Sequence, residues 1–170
     1  MTTTTLPAGT WTLDPEATTI TVTAKKLLGL VTVPATLRLS TGTVTIDDQH
    51  QVTRIDVTID ATSYDSGNPK RDTHVTGGDF LDAEQHPTFR FSASTVTASG
   101  DGHRCSGSVE VKGQTSPVEL AVSGLELGED SASFSATATL DRRALGVDKL
   151  PSFIIRPMLQ LDISARATRS

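Results

Sequence analysis

Apolar and polar residues alternate along most of this chain. Val31, Val33, Ala35, Leu37 and Leu39 are separated by Thr32, Pro34, Thr36 and Arg38. Ile55, Val57, Ile59 and Ala61 are separated by Asp56, Thr58 and Asp60. The same beat runs through Val118-Leu120-Val122, Ala132-Phe134-Ala136-Ala138-Leu140 and Leu159-Leu161-Ile163-Ala165. Successive side chains of a strand point to opposite faces, so each segment predicts a strand with one apolar and one wet face. Thr is frequent at the wet positions, where its branched Cβ is already stiff in the extended conformation. Shorter pieces at Ile20-Val22-Ala24, Val44-Ile46, Phe89-Phe91-Ala93 and Gly107-Val109-Val111 extend the series. Turn-forming residues punctuate it at Thr41-Gly42, Asp47-Asp48, Ser99-Gly100-Asp101-Gly102, Lys112-Gly113 and Gly128-Glu129-Asp130. Roughly eight or nine strands at near-regular spacing imply an all-β sandwich or barrel with mainly antiparallel neighbours.

Two stretches leave the pattern. Residues 68–87 are polar and suit a short helix, and residues 142–157 contain Arg143, Leu145, Gly146 and the run Phe153-Ile154-Ile155. No internal repeat or linker divides the chain, so residues 10–170 are expected to form a single domain behind a flexible tail over 1–9. Helical periodicity is too sparse to cover the apolar faces, and the sheet must close on itself or fold over itself. The inward residues are mostly Val, Leu, Ile, Ala and Gly. A barrel of about eight strands is either just filled by its side chains or holds one small molecule. Periodicity leaves both outcomes open.

Composition and charge narrow the function classes. A formal charge of -5 carries no basic footprint for nucleic acid. No run of apolar residues reaches the length of a membrane-spanning helix. The opening Met1-Thr2-Thr3-Thr4-Thr5-Leu6-Pro7 lacks the charged start and apolar run of a secretion signal, and the single Cys105 precludes an internal disulfide. These features favour a cytoplasmic location. Nucleophile elbows, phosphate loops, dinucleotide fingerprints and the zinc-protease motif are all missing. His50, His74, His86 and His103 lack metal-ligand spacing, so neither metal nor cofactor is expected. Cys105 shares a strand face with Gly107 and Val109, where a small buried hydrophobe is the ordinary reading. His103, two residues away on that face, would be its base if it were a nucleophile. Arg71-Asp72-Thr73-His74 has two readings. It pins a crossover, with Asp72 as a helix N-cap, Arg71 on a carboxylate and His74 on the backbone, or it faces a ligand head at the barrel mouth.

Four motifs then occur in order. The first is Trp11-Thr12-Leu13-Asp14-Pro15. The second is Arg71-Asp72-Thr73-His74-Val75, followed by Asp79-Phe80-Leu81-Asp82 and His86-Pro87-Thr88-Phe89-Arg90-Phe91. The third runs from Gly107 to Val118, and the last is Asp141-Arg142-Arg143-Ala144-Leu145-Gly146-Val147. From Trp11 to Ala167 the chain resembles the YceI-like family of polyisoprenoid-binding, lipocalin-like proteins. It departs from the family pattern at Ala17 and Thr18, where a His-Ser pair is common. Leu37, Leu81 and Leu145 stand where aromatics are usual.

The resemblance implies a lipocalin-like antiparallel β-barrel of about eight strands with one or two short helices in its connections. It further implies an elongated apolar pocket, often in a homodimer, and an isoprenoid or other long-chain lipid as ligand. The expected ligand wall takes Val22, Leu37, Leu39, Ile55 and Val57 from the first half of the chain. From the second half it takes Phe80, Phe89, Phe91, Val109, Leu120, Phe134, Ala136 and Leu161. Arg71, Asp72 and His74 join it as polar ligand contacts, and Lys25, Lys26, Arg71 and Lys112 are the cations that could meet an anionic head. The leading expectation is non-catalytic carriage of a polyprenyl phosphate, quinone or similar lipid. The alternatives are an enzyme or redox partner acting on such a lipid, and a structural or stress-associated barrel filled by its own side chains.

Overall fold

A computed structural model describes residues 7–26, 30–78, 80–100, 102–147 and 158–169. Asp79, the run Phe153-Ile154-Ile155, the first six residues and the Lys26 side chain lie outside the described residues. The strands are β1 (Gly9–Leu13), β2 (Thr19–Lys26), β3 (Val31–Ile46), β4 (Val52–Asp65), β5 (Thr88–Ser99), β6 (Gly102–Val111), β7 (Gln114–Leu127), β8 (Ser131–Asp141) and β9 (Met158–Arg169). Among the described residues one α-helix, α1 (Pro69–Thr76), joins β4 to β5, and a single 3-10 turn (Arg142–Leu145) follows β8.

Among the described residues every pairing is antiparallel and the sheet has no free edge. From β4 the order runs through β5, β6, β7, β8, β9 and β2 to β3, which pairs back onto β4. β1 and β2 share one position in this ring. β2 pairs with one half of β3 and of β9, through Ile20 with Leu37 and Ile20 with Ile163. β1 takes the other halves, through Trp11 with Val44 and Trp11 with Arg169. The result is a closed antiparallel barrel of eight positions. Closure removes the unpaired strand edges that would otherwise invite aggregation. No helix among the described residues is long and apolar enough to cross a membrane.

The sequence pattern explains most turns. Lys112 and Gly113 both have positive φ, 54° and 74°, between the paired Val111 and Gln114. That is the two-residue turn whose twist matches the flanking strands. Thr41-Gly42 is a correction: it lies inside the sixteen-residue β3. The register shifts between Leu39 and Thr41. The extra residue moves the inward set from odd positions ending at Leu39 to even positions starting at Val44, which in sequence looks like a break between two strands. Gly42 also leaves room for Leu13 of β1, whose Cδ1 would lie 2.6 Å from an added Cβ.

The strand ends define two poles. The β3–β4, β5–β6 and β7–β8 connections lie at one, and α1 and the 3-10 turn lie at the other, here called the helix end. α1 starts at Asn68, whose side chain accepts the Arg71 N–H at 3.2 Å, with Pro69 in its first turn. Asp72 is therefore not the N-cap expected from sequence. It sits inside the first turn, where its Oδ1 accepts from Ser66 N at 3.0 Å and Ser66 Oγ at 2.6 Å.

Candidate functional site

The inner faces of the barrel enclose a cavity of about 490 Å3. That lies within the ~300–1,000 Å3 range of small-molecule sites. The barrel is therefore not filled by its own side chains. Small residues explain the space: Ala24, Ala132, Ala136, Ala165 and Ala167 line the wall where larger side chains would meet across the axis. Each apolar residue expected in the ligand wall lines this cavity, from Val22 and Leu37 through Phe89 and Phe91 to Leu161. Gly107 sits beneath that wall, and a Cβ there would meet Ser92 O at 2.4 Å and the Phe91 ring at 2.9 Å. Glycine at this position lets Phe91 lie against β6.

Sequence reading missed part of the lining. Val96, Leu125 and Leu127 face inward beyond β-bulges, at Ala93/Thr95 in β5 and Ser123/Glu126 in β7. The second bulge carries Gly124 at φ 65°. The signal was a switch of parity in the apolar positions within one strand, from odd to even in β5 and from even to odd in β7. Trp11 and Leu13 were visible as a motif and not as wall residues. Trp11 is buried, donates its indole N–H to Pro7 O at 3.0 Å and lies under the Arg169 guanidinium, 5.8 Å from the ring centroid.

Polar groups gather at the helix end. Arg71 and His74 of α1 line the cavity, and the His74 ring stands edge-on to Phe80 at 4.9 Å. Tyr64, at the end of β4, joins them; burial, reinforced by Asp72 and opposed by Arg71, raises its phenol pKa above the usual 10.0. Arg71 makes no ion pair among the described residues, so the carboxylate partner expected for it is not found there. His74 meets an aromatic edge in place of the expected backbone partner. Asp72 does not line the cavity and holds the approach to α1. Lys25 is exposed, and Lys112 Nζ donates to Gly146 O at 3.4 Å. Neither lines the lumen. Arg142 does; it is buried, and its Nη1 donates to Val147 O at 2.8 Å. Gly146, with φ 79°, closes the turn beneath it by donating to Arg142 O and Arg143 O.

The model of the YceI-like domain family matches residues 11–167. The chain belongs to the YceI-like family. Its curated relatives include a UPF0312 protein of Pseudomonas aeruginosa, 31% identical over 112 residues, which covers 62% of this chain and 59% of that protein. Protein YceI of Escherichia coli O157:H7 is 32% identical over 90 residues, covering 52% and 47%. The matched region thus spans about half to three fifths of those relatives. Among solved structures, Burkholderia cenocepacia BcnA superposes with a TM-score of 0.81 at 21% identity, covering 92% of this chain and 99% of that one. A polyisoprenoid binding domain from Saccharophagus degradans gives 0.71 at 12% identity, covering 94% and 98%. These likenesses establish the lipocalin-like barrel.

Two further groups in this YceI-like lumen lie away from the helix end. Cys105 is buried, lines the cavity and pairs with Val96 and Leu120 in mid-strand. Burial pushes its thiol up to about 11, so at neutral pH it is a protonated, weakly nucleophilic group. His103 also lines the cavity, but no hydrogen bond joins it to Cys105. The second group is Thr18, in the connection between β1 and β2. It is 8% exposed, and its Oγ1 finds no hydrogen-bond partner among the described residues. Periodicity gave no hint of it, because it falls in a turn between strands. A buried hydroxyl left unpaired costs about 1–3 kcal/mol.

Proposed function

We propose that this YceI-like barrel binds a long apolar lipid of the isoprenoid class along its lumen and carries it without chemical change. The observation that carries the reading is the hollow itself, about 490 Å3 walled almost wholly by apolar side chains. A methylene is close in size to a water molecule, about 30 Å3 in the liquid, so the hollow accepts at least about sixteen chain carbons, roughly three isoprene units. Each buried methylene contributes about 0.8 kcal/mol, and one five-carbon unit therefore about 4 kcal/mol before the costs of association. The Saccharophagus neighbour, described as a polyisoprenoid binding domain, supports the same ligand class.

The polar cluster at the helix end suits a head group such as the phosphate of a polyprenyl phosphate or the ring of a quinone. Arg71 supplies a cation without an ion-pair partner among the described residues, and Tyr64 and His74 supply hydrogen-bonding groups beside it. Cys105 does not favour catalysis, since a thiol held near 11 offers little thiolate at neutral pH.

Native mass spectrometry of the gently purified protein tests the proposal. A bound lipid is expected, and delipidated protein should take up an isoprenoid alcohol such as farnesol at micromolar concentration. Protein that is isolated empty and stays empty in the presence of isoprenoids overturns the reading.

A further inference from the structure

Among the described residues three large apolar side chains are exposed: Leu30 at 85%, Val31 at 37% and Met158 at 50%. All three lie at the helix end. Leu30 is in the turn before β3, Val31 opens β3 opposite Lys26, and Met158 opens β9. β9 runs beside β2 with Thr23 opposite Gln160, and the same register carried onward puts Met158 level with Lys25. The three therefore share one stretch of the barrel rim, where β9, β2 and β3 are neighbours. They also continue the lumen outward. On the inward face of β3, Leu37, Ala35 and Val33 are buried, and Val31, the next in that series, emerges at the rim. On β9, Leu159 lines the cavity and Met158 stands just beyond it.

Single exposed apolar residues are ordinary, but a group of them at the end of an apolar lumen marks a surface that meets something apolar. Size and charge say what. Three side chains fall far short of the ~800 Å2 that each partner gives to a stable dimer. A turn that projects Leu30 needs no matching cavity in a fluid bilayer, where an apolar edge flanked by cations settles at the interface. Lys25 is exposed beside Met158, Lys70 is exposed on α1, and neither makes an ion pair among the described residues. Asp141, opposite Met158 on β8, is held by Arg143. Asp72, Asp82 and Glu84 belong to the connection from β4 to β5, separated from β2 by β3. The connections at the other pole carry Asp47, Asp48, Glu129 and Asp130 with no Lys or Arg, so an anionic surface repels that pole.

We infer that Leu30, Val31 and Met158, with Lys25 beside them, dock the barrel on an anionic lipid bilayer, its helix end toward the membrane. This rests on the lipid-binding reading above and adds the place where cargo passes in and out. An isoprenoid chain is kept in a bilayer by the same burial that keeps it in the lumen. Along the inward face of β3 the chain would slide from Val31 to Val33 to Leu37 without crossing water. Its head group would enter last and come to rest among Arg71, His74 and Tyr64 at that same end.

The test is co-sedimentation of the full chain with two kinds of vesicle, phosphatidylcholine mixed with phosphatidylglycerol and phosphatidylcholine alone, beside farnesol uptake in solution. Wild type should sediment with the mixed vesicles and more weakly with the neutral ones. Leu30→Ser and Met158→Ser should each weaken vesicle binding about tenfold, the effect of withdrawing one apolar side chain from the bilayer. Lys25→Gln should cost about fivefold on the mixed vesicles and nothing on the neutral ones. Leu30 and Met158 are exposed and do not line the lumen, so both serine variants should fold and take up farnesol as wild type does. Wild type that stays in solution beside the mixed vesicles overturns the inference, and so do serine variants that sediment as well as wild type. A wild-type dimer that Leu30→Ser splits into monomers also overturns it, because the rim is then an interface between two copies. Farnesol uptake without vesicle binding removes the docking and leaves the carrier reading standing; vesicle binding without farnesol uptake does the reverse.

Discussion

At the scale of single residues, the lumen depends on what is small and what is protonated. Ala136 is 2% exposed and faces the hollow, with Val122 and Ile163 on either side in the sheet. Ala136→Phe should place a ring in ligand space and weaken isoprenoid binding by more than tenfold. Overpacking of this kind costs about 1–3 kcal/mol, so the variant should still fold. Calorimetric titration alongside a melting curve checks this, and undiminished binding in a folded variant would count against the lumen as the site. Cys105 gives a second reading of the same wall. With its thiol near 11, alkylation should accelerate about tenfold per pH unit from pH 8 to 10, because only the thiolate reacts. A rate that levels off near pH 9 would show an ordinary, unburied thiol.

At the scale of elements, the barrel is a set of alternating strands whose phase is reset by bulges. The period of two was legible, and with it the inward identity of residues such as Leu37, Ile59, Leu120 and Leu161. The resets were less so. Leu39 and Val44 belong to one strand, and Thr41-Gly42 resembled a turn because a bulge and a turn draw on the same residue types. The helix end was half legible. The Arg71–His74 segment was recognisable as special, yet which of its members faces the lumen depends on the Asn68 cap, which rotates Arg71 and His74 inward and leaves Asp72 bound to Ser66. Asp72→Ala should therefore loosen α1 without opening the barrel, with a loss of about 1–2 kcal/mol from the two hydrogen bonds. Hydrogen exchange should speed up in α1 and stay slow in β5 and β6; uniform acceleration would place Asp72 in the global core instead. Gly107→Ala should do the opposite. Its Cβ would lie 2.4 Å from Ser92 O, forcing β5 and β6 apart, so the melting temperature should fall sharply.

At the scale of the molecule, a closed ring of strands around an unfilled centre gives up packing energy that a ligand can restore. Thermal stability should thus rise with ligand, by about 2.7 kcal/mol at a hundredfold excess over Kd. Affinity should climb steeply with each added isoprene unit until the hollow is filled, at three units or more, then level off. A ligand bound on the outer surface would show no such break. The most direct measurement uses the one thiol already inside: the alkylation rate of Cys105 by a small uncharged reagent, in delipidated protein and in protein loaded with farnesol. Loading should slow the reaction in proportion to the fraction occupied, and Ala136→Phe, which excludes the lipid, should abolish that protection. An identical rate in empty and fully loaded protein would mean that the lipid sits elsewhere and that the hollow is not its site.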